Sequence, residues 1–356
     1  MSIARLVIIT GKFTACLVAA VLGSSVLVST ARIGARAQNA NFELRSTVAF
    51  VSTQHDLLTD PLLAAEIYLM DRDGTNVRRI TFNADGDGFP SLSRDGKKIV
   101  FDSNRLRGDG EPPNTSDLFL MESDGSDQRH LVRGSSGTWS PDSKNVAFHA
   151  SASGAGLPIK PDPGAATDDS DIFVLNVDDV LSGNAAPRNL TNNDLAIDDD
   201  PDWSPDGQTI AFTSHDRQDN PINSVTAEIY TMSADGSSPP QRITFNNEEE
   251  RSPDWSPEGT RIVFSCRRGG ADFEICTMNA DGSNQQQLTN NTVGDLTPTW
   301  SRDGQQIMFH RPVAGRLQLF VMNADGTNQH QLSNTAGINA FPNWGVLRVH
   351  IGHHSQ

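Results

Sequence analysis

One phrase recurs along the chain and limits what the rest of it can fold into. It reads PDWSPDGQTIAF at 201–212, PDWSPEGTRIVF at 253–264, PTWSRDGQQIMF at 298–309 and, more loosely, PSLSRDGKKIVF at 90–101. A return at intervals of about 45–65 residues is the mark of a modular array rather than of a single catalytic motif. Four landmarks follow one another in fixed order within each module. The first is a Trp or Leu followed by Ser or Gly, at Leu92, Trp139, Trp203, Trp255, Trp300 and Trp344. The second is an apolar run holding a Phe, at Phe50, Phe101, Phe148, Phe212, Phe264 and Phe309. The third is an aliphatic–aromatic pair such as Ile67-Tyr68 or Ile229-Tyr230, with Ile275-Cys276 as its variant. The fourth is a short run centred on Ile80, Leu131, Leu190, Ile243, Leu288 and Leu332.

Each landmark alternates apolar and polar positions, as half-buried strands do, so each module reads as four strands, A to D. Between A and B stands Ser-Pro-Asp-Gly or a relative of it. Between C and D stands a second Asp-Gly, at 73–74, 124–125, 235–236, 281–282 and 325–326. Asp-Gly suits tight hairpins because Gly takes positive φ without steric cost. The chain enters the array at a B strand (TVAFVS, 47–52) and leaves it at an A strand (FPNWG, 341–345). The last A strand therefore completes the first module. The expected fold is all-β: a six-bladed β-propeller of four-stranded antiparallel blades, closed by the C-terminal strand.

The stretch IYTMSADG…QRIT…PDWSPDGQTIAF resembles the repeat of the TolB-type, WD-like β-propeller family. The resemblance spans about residues 46–345. It implies the propeller fold and a binding role. The family includes periplasmic proteins that bind a peptidoglycan-associated lipoprotein through the propeller and carry an additional N-terminal α/β domain. Only residues 38–45 stand here between the leader and the first strand, so the resemblance implies the propeller without that domain.

Outside the array, residues 1–37 have the layout of a secretory signal peptide. Arg5 and Lys12 precede the apolar run FTACLVAAVLGSSVLV (13–28), and an Ala-x-Ala site follows at 35–37. The run is short for a transmembrane anchor, and Cys16 lies too early in it for a lipoprotein site. The expected organisation is a signal peptide at 1–37, a lead-in at 38–45, the propeller at 46–345 and a tail at 346–356 that carries His350, His353 and His354. The expected location is periplasmic or secreted, with no membrane span after cleavage. The chain has 28 basic and 44 acidic residues. Without the four basic residues of the leader its net charge is about −20, which opposes nucleic acid and anionic membranes. Cys266 and Cys276 fall at the ends of successive strands, where a cross-strand disulfide and two buried thiols are both open readings.

Strands in a meander alternate in direction, so the A–B and C–D turns share one end of the ring. The B–C loops and D–A links share the other. That second end is variable and long-looped, with B–C segments at 52–65, 103–117, 150–171 and 214–227, and function favours such loops. Three positions before the strand-A Pro stand Asp87, Asp198, Glu250 and Asp295, with Asn339 in the last copy. If strand A is innermost, these side chains crowd the channel mouth. Asp85, Asp199, Asp200, Asp202, Glu248 and Glu249 flank them. Converging carboxylates raise one another's pKa or hold a hard cation such as Ca²⁺. The bland reading is solvated turn acids. His149, His215 and His310 fall at or just after the ends of B strands on the same face, without metal-ligand spacing. Asp71-Arg72-Asp73-Gly74 reads as a hairpin turn, since it lacks the further ligands of a calcium loop. No Gly-x-Ser-x-Gly elbow, phosphate loop or zinc pattern occurs. Two functions are weighed. One is an exported, non-catalytic, monomeric propeller that needs no cofactor and binds a protein or cell-envelope component on the loop-rich face. The other is a carbohydrate-active lyase or hydrolase using the mouth carboxylates, with or without a metal.

Overall fold

The strand periodicity is realised in a computed structural model that describes residues 42–54, 65–108, 111, 116–151, 170–192, 196–216, 227–246, 248–269 and 272–350. The leader, the residues just after it, the last six residues and most of the long B–C loops lie outside this set, as do the expectations placed on them.

Six four-stranded antiparallel sheets follow one another along the chain. Blade 1 holds β1 (Phe42–Ser52), β2 (Glu66–Asp71) and β3 (Arg78–Arg79). Blade 2 holds β4 (Asp87–Leu92), β5 (Lys98–Ser103), β6 (Asp117–Glu122) and β7 (Arg129–Arg133). Blade 3 holds β8 (Ser135–Trp139), β9 (Asn145–Ala150), β10 (Asp171–Asn176) and β11 (Arg188–Asn189). Blade 4 holds β12 (Ala196–Trp203), β13 (Thr209–Asp216), β14 (Glu228–Ser233) and β15 (Gln241–Arg242). Blade 5 holds β16 (Glu250–Trp255), β17 (Arg261–Cys266), β18 (Glu274–Asn279) and β19 (Gln286–Gln287). Blade 6 holds β20 (Leu296–Trp300), β21 (Gln306–Val313), β22 (Arg316–Asn323) and β23 (His330–Gln331). The last strand, β24 (Asn339–His350), joins blade 1 beside β1, so the ring closes as the offset of the landmarks predicts. Strand β1 already starts at Phe42, and its pairing with β24 continues out to His350, so the blade reaches past both ends of the expected 46–345 span.

The recurring phrase is a turn. In blade 4 the Ser204 hydroxyl donates to Asp206 Oδ1 at 2.6 Å and accepts from Thr209 N at 2.9 Å. Gly207 N closes the turn on Ser204 O at 2.9 Å, with φ +71, a conformation that favours glycine. Blade 3 lacks the C–D Asp-Gly. A single helical turn, α1 (Val177–Leu181), fills that place, with Asn176 capping it by accepting from Asp179 N.

The Phe of every B strand is buried. In five blades it faces an aromatic ring on strand C, with centroids 5.7 Å apart for Phe148–Phe173 and 5.9 Å for Phe309–Phe320. In blade 5 Phe264 pairs instead with Cys276, which is disulfide-bonded to Cys266. The bond stands where the other blades keep a ring. The apolar clusters run across the junctions between neighbouring blades. Phe50, Tyr68 and Trp344 of blade 1, for example, pack with Met308, Leu319 and Val321 of blade 6. No blade buries both its faces without its neighbours, which is why closure matters energetically.

Candidate functional site

The acids expected at the channel mouth are placed elsewhere. Asp87, Asp198, Glu250, Asp295 and Asn339 are all buried, and none of them lines the central channel. Each belongs to a polar clasp between one blade and the next. At the blade 5–6 junction, Glu274 on β18 accepts from the Thr289 hydroxyl at 2.6 Å and from Asn291 N at 2.6 Å. Asn291 Nδ2 crosses the junction to Asp295 Oδ2 at 2.9 Å. Arg311 then holds both Asp295 oxygens at 2.6 Å. The blade 1–2 junction repeats this with Glu66, Asn83, Asp87 and Arg105, and the blade 4–5 junction with Glu228, Asn246, Glu250 and Arg268. At the blade 6–1 junction the acids are replaced by amides, and Asn339 Nδ2 donates to Gln318 Oε1 at 3.2 Å and to Thr335 Oγ1 at 2.6 Å. Asp198, between blades 3 and 4, accepts from the Ser214 hydroxyl, and burial pushes its carboxyl up to about 7. These acids do not converge at the mouth because at the start of strand A their side chains turn into the blade junction and bond within the clasp, although Glu250 Oε2 and Asn339 Oδ1 find no partner among the described residues. Among the described residues no group of three or more His, Cys, Asp or Glu stands close enough to hold a metal ion.

The channel is lined from positions two and four residues further along strand A. Each inner strand carries a bulge whose first residue has positive φ: Phe89 (+44), Ser136 (+53), Asp200 (+48), Ser252 (+53), Thr297 (+49) and Phe341 (+51). The bulge turns these side chains, and those two positions on, toward the axis. On the loop-rich side the channel encloses about 130 Å³. Ligand pockets for drug-sized molecules occupy roughly 300–1,000 Å³, so this space is small beside them.

The two sides of this mouth differ. On one side Phe89 and Phe341 stack with centroids 4.2 Å apart, and His310 meets the Phe341 ring edge-on at 5.4 Å. Burial pushes His310 down to about 4, so it is neutral, and its Nδ1 accepts from the Thr297 hydroxyl at 2.7 Å. On the other side stand carboxylates. Asp200 accepts from the Ser252 hydroxyl at 2.8 Å and the Ser136 hydroxyl at 3.2 Å, which ties blades 3, 4 and 5 together. Burial and the Asp199 charge raise Asp200, against the opposing effect of His149. Asp102 accepts from Ser136 N at 3.1 Å and from the Ser135 hydroxyl, and burial pushes it up to about 8. His215 Nε2 stands 3.7 Å from Asp199 Oδ2. Deeper in the bore, Asp202 accepts from Trp255 N at 2.7 Å and Asp254 from Trp300 N at 2.8 Å. Of the axial acids, Asp200 and Asp202 are visible in the sequence only as neighbours of Asp198, and Asp254 gives no signal of its own; nor does Asp102, which stands behind the bore on β5. The x-Pro that follows the bulge residue in five of the six blades marks the position.

Exposed aromatics gather at the same end. Phe82 and Phe245 are 72% and 76% exposed, and Phe89 is 36% exposed. These are the exposed phenylalanines among the described residues, and all three lie on D–A links or at the channel mouth. Phe82 and Phe245 sit in identical pentapeptides, RITFN at 79–83 and 242–246, three blades apart. In both, the arginine stacks over the ring, at 4.7 Å for Arg79 and 5.4 Å for Arg242. Among the described residues no helix is long and apolar enough to cross a membrane.

A family model described as the TolB beta propeller domain matches residues 164–348. Among solved structures, TolB from Acinetobacter baumannii superposes with a TM-score of 0.66 at 19% identity, covering 84% of this chain and 66% of that one. A putative TolB from Agrobacterium tumefaciens gives a TM-score of 0.59 at 19% identity, covering 86% of this chain and 99% of that one. An uncharacterized protein of Agrobacterium fabrum is 28% identical over 197 residues, which span 48% of this chain and 63% of its own length. The chain thus covers less than two thirds of that relative and of the Acinetobacter protein. The likeness to the solved structures is a likeness of fold.

Proposed function

Because this chain belongs to the family of TolB β-propeller domains, we propose that it is an exported, non-catalytic propeller that binds a protein or cell-envelope component across its loop-rich end. The observation that carries this reading is the concentration of exposed aromatics there: the Phe89–Phe341 stack at the mouth, with Phe82 and Phe245 on the rim. Two bulky residues held at positive φ are strained by roughly 1–3 kcal/mol each, and such strain gathers at functional sites. Exposed rings anchored on a rigid frame are what binding hot spots are built from. A location in the periplasm or outside the cell agrees with the Cys266–Cys276 disulfide, which belongs to an oxidising compartment. Asp87, Asp198, Glu250 and Asp295, the acids the lyase or hydrolase alternative relied on, stand at separate blade junctions.

The test is capture from a cell-envelope extract by the mature chain, compared with a Phe82→Ser/Phe89→Ser/Phe245→Ser variant. The control is Val77→Ser on the opposite end, where Val77 is 47% exposed. The expected outcome is a partner retained by wild type and control and lost about tenfold or more by the triple variant. Equal capture by all three, or turnover of an envelope glycan that survives the Phe substitutions, sinks the reading.

A further inference from the structure

The loop-side mouth has spent its hydrogen-bond donors. Its rim is made by the six bulge residues, Phe341, Phe89, Ser136, Asp200, Ser252 and Thr297 in the order of blades 1 to 6. Each of the three hydroxyls gives its one hydrogen to a neighbour. Ser136 and Ser252 donate to Asp200 at 3.2 Å and 2.8 Å, and Thr297 donates to His310 Nδ1 at 2.7 Å. Their backbone amides are taken as well. Ser136 N donates to Asp102 at 3.1 Å, Ser252 N to Thr213 Oγ1 at 3.1 Å and Thr297 N to Ser265 Oγ at 3.1 Å. In five blades the next residue is a proline, at 90, 201, 253, 298 and 342, and proline has no N–H. The rim therefore offers hydroxyl lone pairs, one carboxylate and two aromatic rings.

Charge points the same way. Asp200, Asp202 and Asp254 line this space, and among the described residues no Lys, Arg or His side chain does. Asp202 and Asp254 lie deeper, where Arg94 attracts both. Asp200 stands at the mouth on blade 4, across the ring of six from Phe341 on blade 1. Burial and the Asp199 charge raise its carboxyl, and a cation beside it favours the ionised form. The space of about 130 Å³ is roughly ten times what one water needs. A slim side chain fits it, and a folded segment does not.

We propose that the mouth receives the primary ammonium of one lysine side chain, presented by the binding partner. The carrier of that lysine rests on the partner reading above, whereas the ammonium site rests on the mouth alone. An ammonium brings three donors and no acceptor, the complement of a rim whose own donors are spent. Its alkyl stem lies against the proline rings, and the Phe89–Phe341 stack supplies the ring faces to which cations are drawn. Arginine suits the site less well. Both Asp200 oxygens already accept from hydroxyls on two different blades, which obstructs the two-pronged approach of a planar guanidinium but not a point charge with rotatable donors. The formal net charge of −16 on the whole chain steers a basic partner toward it.

The probe is n-butylammonium, with n-butanol as its uncharged counterpart and n-butylguanidinium as the arginine mimic, each titrated into the mature chain at constant ionic strength and followed by ligand-observed NMR. Wild type should bind n-butylammonium saturably in about the millimolar range, about threefold tighter than n-butylguanidinium, and n-butanol not at all. Asp200→Asn keeps an oxygen acceptor for the two serines and should weaken binding about tenfold or more. Phe89→Leu/Phe341→Leu should weaken it about threefold. Phe82→Ser/Phe245→Ser should bind the probe as wild type does. In the envelope capture, the partner held by wild type should be released by n-butylammonium and retained poorly by Asp200→Asn. Probe binding with no partner captured upholds the ammonium site and sinks the partner reading. Probe binding equal in wild type and Asp200→Asn, or no tighter than that of n-butanol or n-butylguanidinium, overturns the proposal even where a partner is captured. A partner captured equally by wild type and Asp200→Asn overturns it too.

Discussion

A difference of two positions in one strand separates residues that hold the ring together from residues that face its bore. Asp198 and Asp200 look alike in the sequence, yet Asp198 is sealed in a blade junction and Asp200 bridges three blades at the axis. The same holds for Asp295, whose role is set by Arg311. Removing one partner of a buried ion pair leaves the other charge unpaired and costs about 3–5 kcal/mol. Arg311→Ala should therefore lower the urea midpoint strongly, and Arg311→Ala/Asp295→Asn should recover a large part of the loss, because the uncompensated charge is gone. A midpoint unchanged in the single variant means that Asp295 finds water instead of depending on its arginine. Asp198 accepts from the Ser214 hydroxyl, and its burial raises its carboxyl.

The blades are variations on one element, and the variations are informative. Five pack a strand-C ring on the strand-B Phe, whereas blade 5 places Cys276 there and bonds it to Cys266 on the neighbouring strand. Closing a loop this short stabilises by about 3 kcal/mol in the chain-entropy account. Cys266→Ser/Cys276→Ala should lose that and leave a cavity beside Phe264 as well. Cys266→Ser/Cys276→Phe supplies the Ser found at the equivalent of Cys266 in blades 1, 2 and 4 and the ring found on strand C elsewhere, so its Tm should lie well above that of the Ser/Ala variant. Equal Tm values for the two variants would show that the space beside Phe264 does not accept a ring. Blade 3 varies differently, with α1 in place of the C–D Asp-Gly turn, and keeps the four-stranded sheet unchanged.

For the molecule as a whole, the buried acids set a pH dependence. Asp102 and Glu228 are pushed up to about 8, Asp198 to about 7 and Asp202 to about 6, in each case chiefly by burial. A carboxyl whose folded pKa lies above its unfolded value binds its proton more tightly when folded. Its contribution is complete below the unfolded pKa of about 4 and is lost as pH rises through the folded value. The turn acids Asp73, Asp206 and Asp325 are shifted down by their hydroxyl and amide donors and act in the opposite sense at more acidic pH. Thermal melts should therefore show the highest Tm at about pH 4–5, a fall that runs from there to about pH 8, and little further change above it. Asp102→Asn/Asp198→Asn should flatten that fall. A Tm independent of pH across this window would mean that these carboxyls are ionised in the folded protein.

The sequence alone determined the number of blades, the four-strand plan, the turn chemistry and the ring closure. These follow from local periodicity and from the offset between the first B strand and the last A strand, and both are written along one dimension. Which polar side chains face the axis was decided by tertiary structure. A bulge at positive φ reverses the inward-facing set within strand A, and alternation of residue types does not record it. The partners of an axial residue also come from other blades, as when Leu92 N donates to Asn343 Oδ1 at 2.9 Å across the closure. The clasp acids and the mouth with its aromatic and acidic sides exist only once the ring has brought distant segments together.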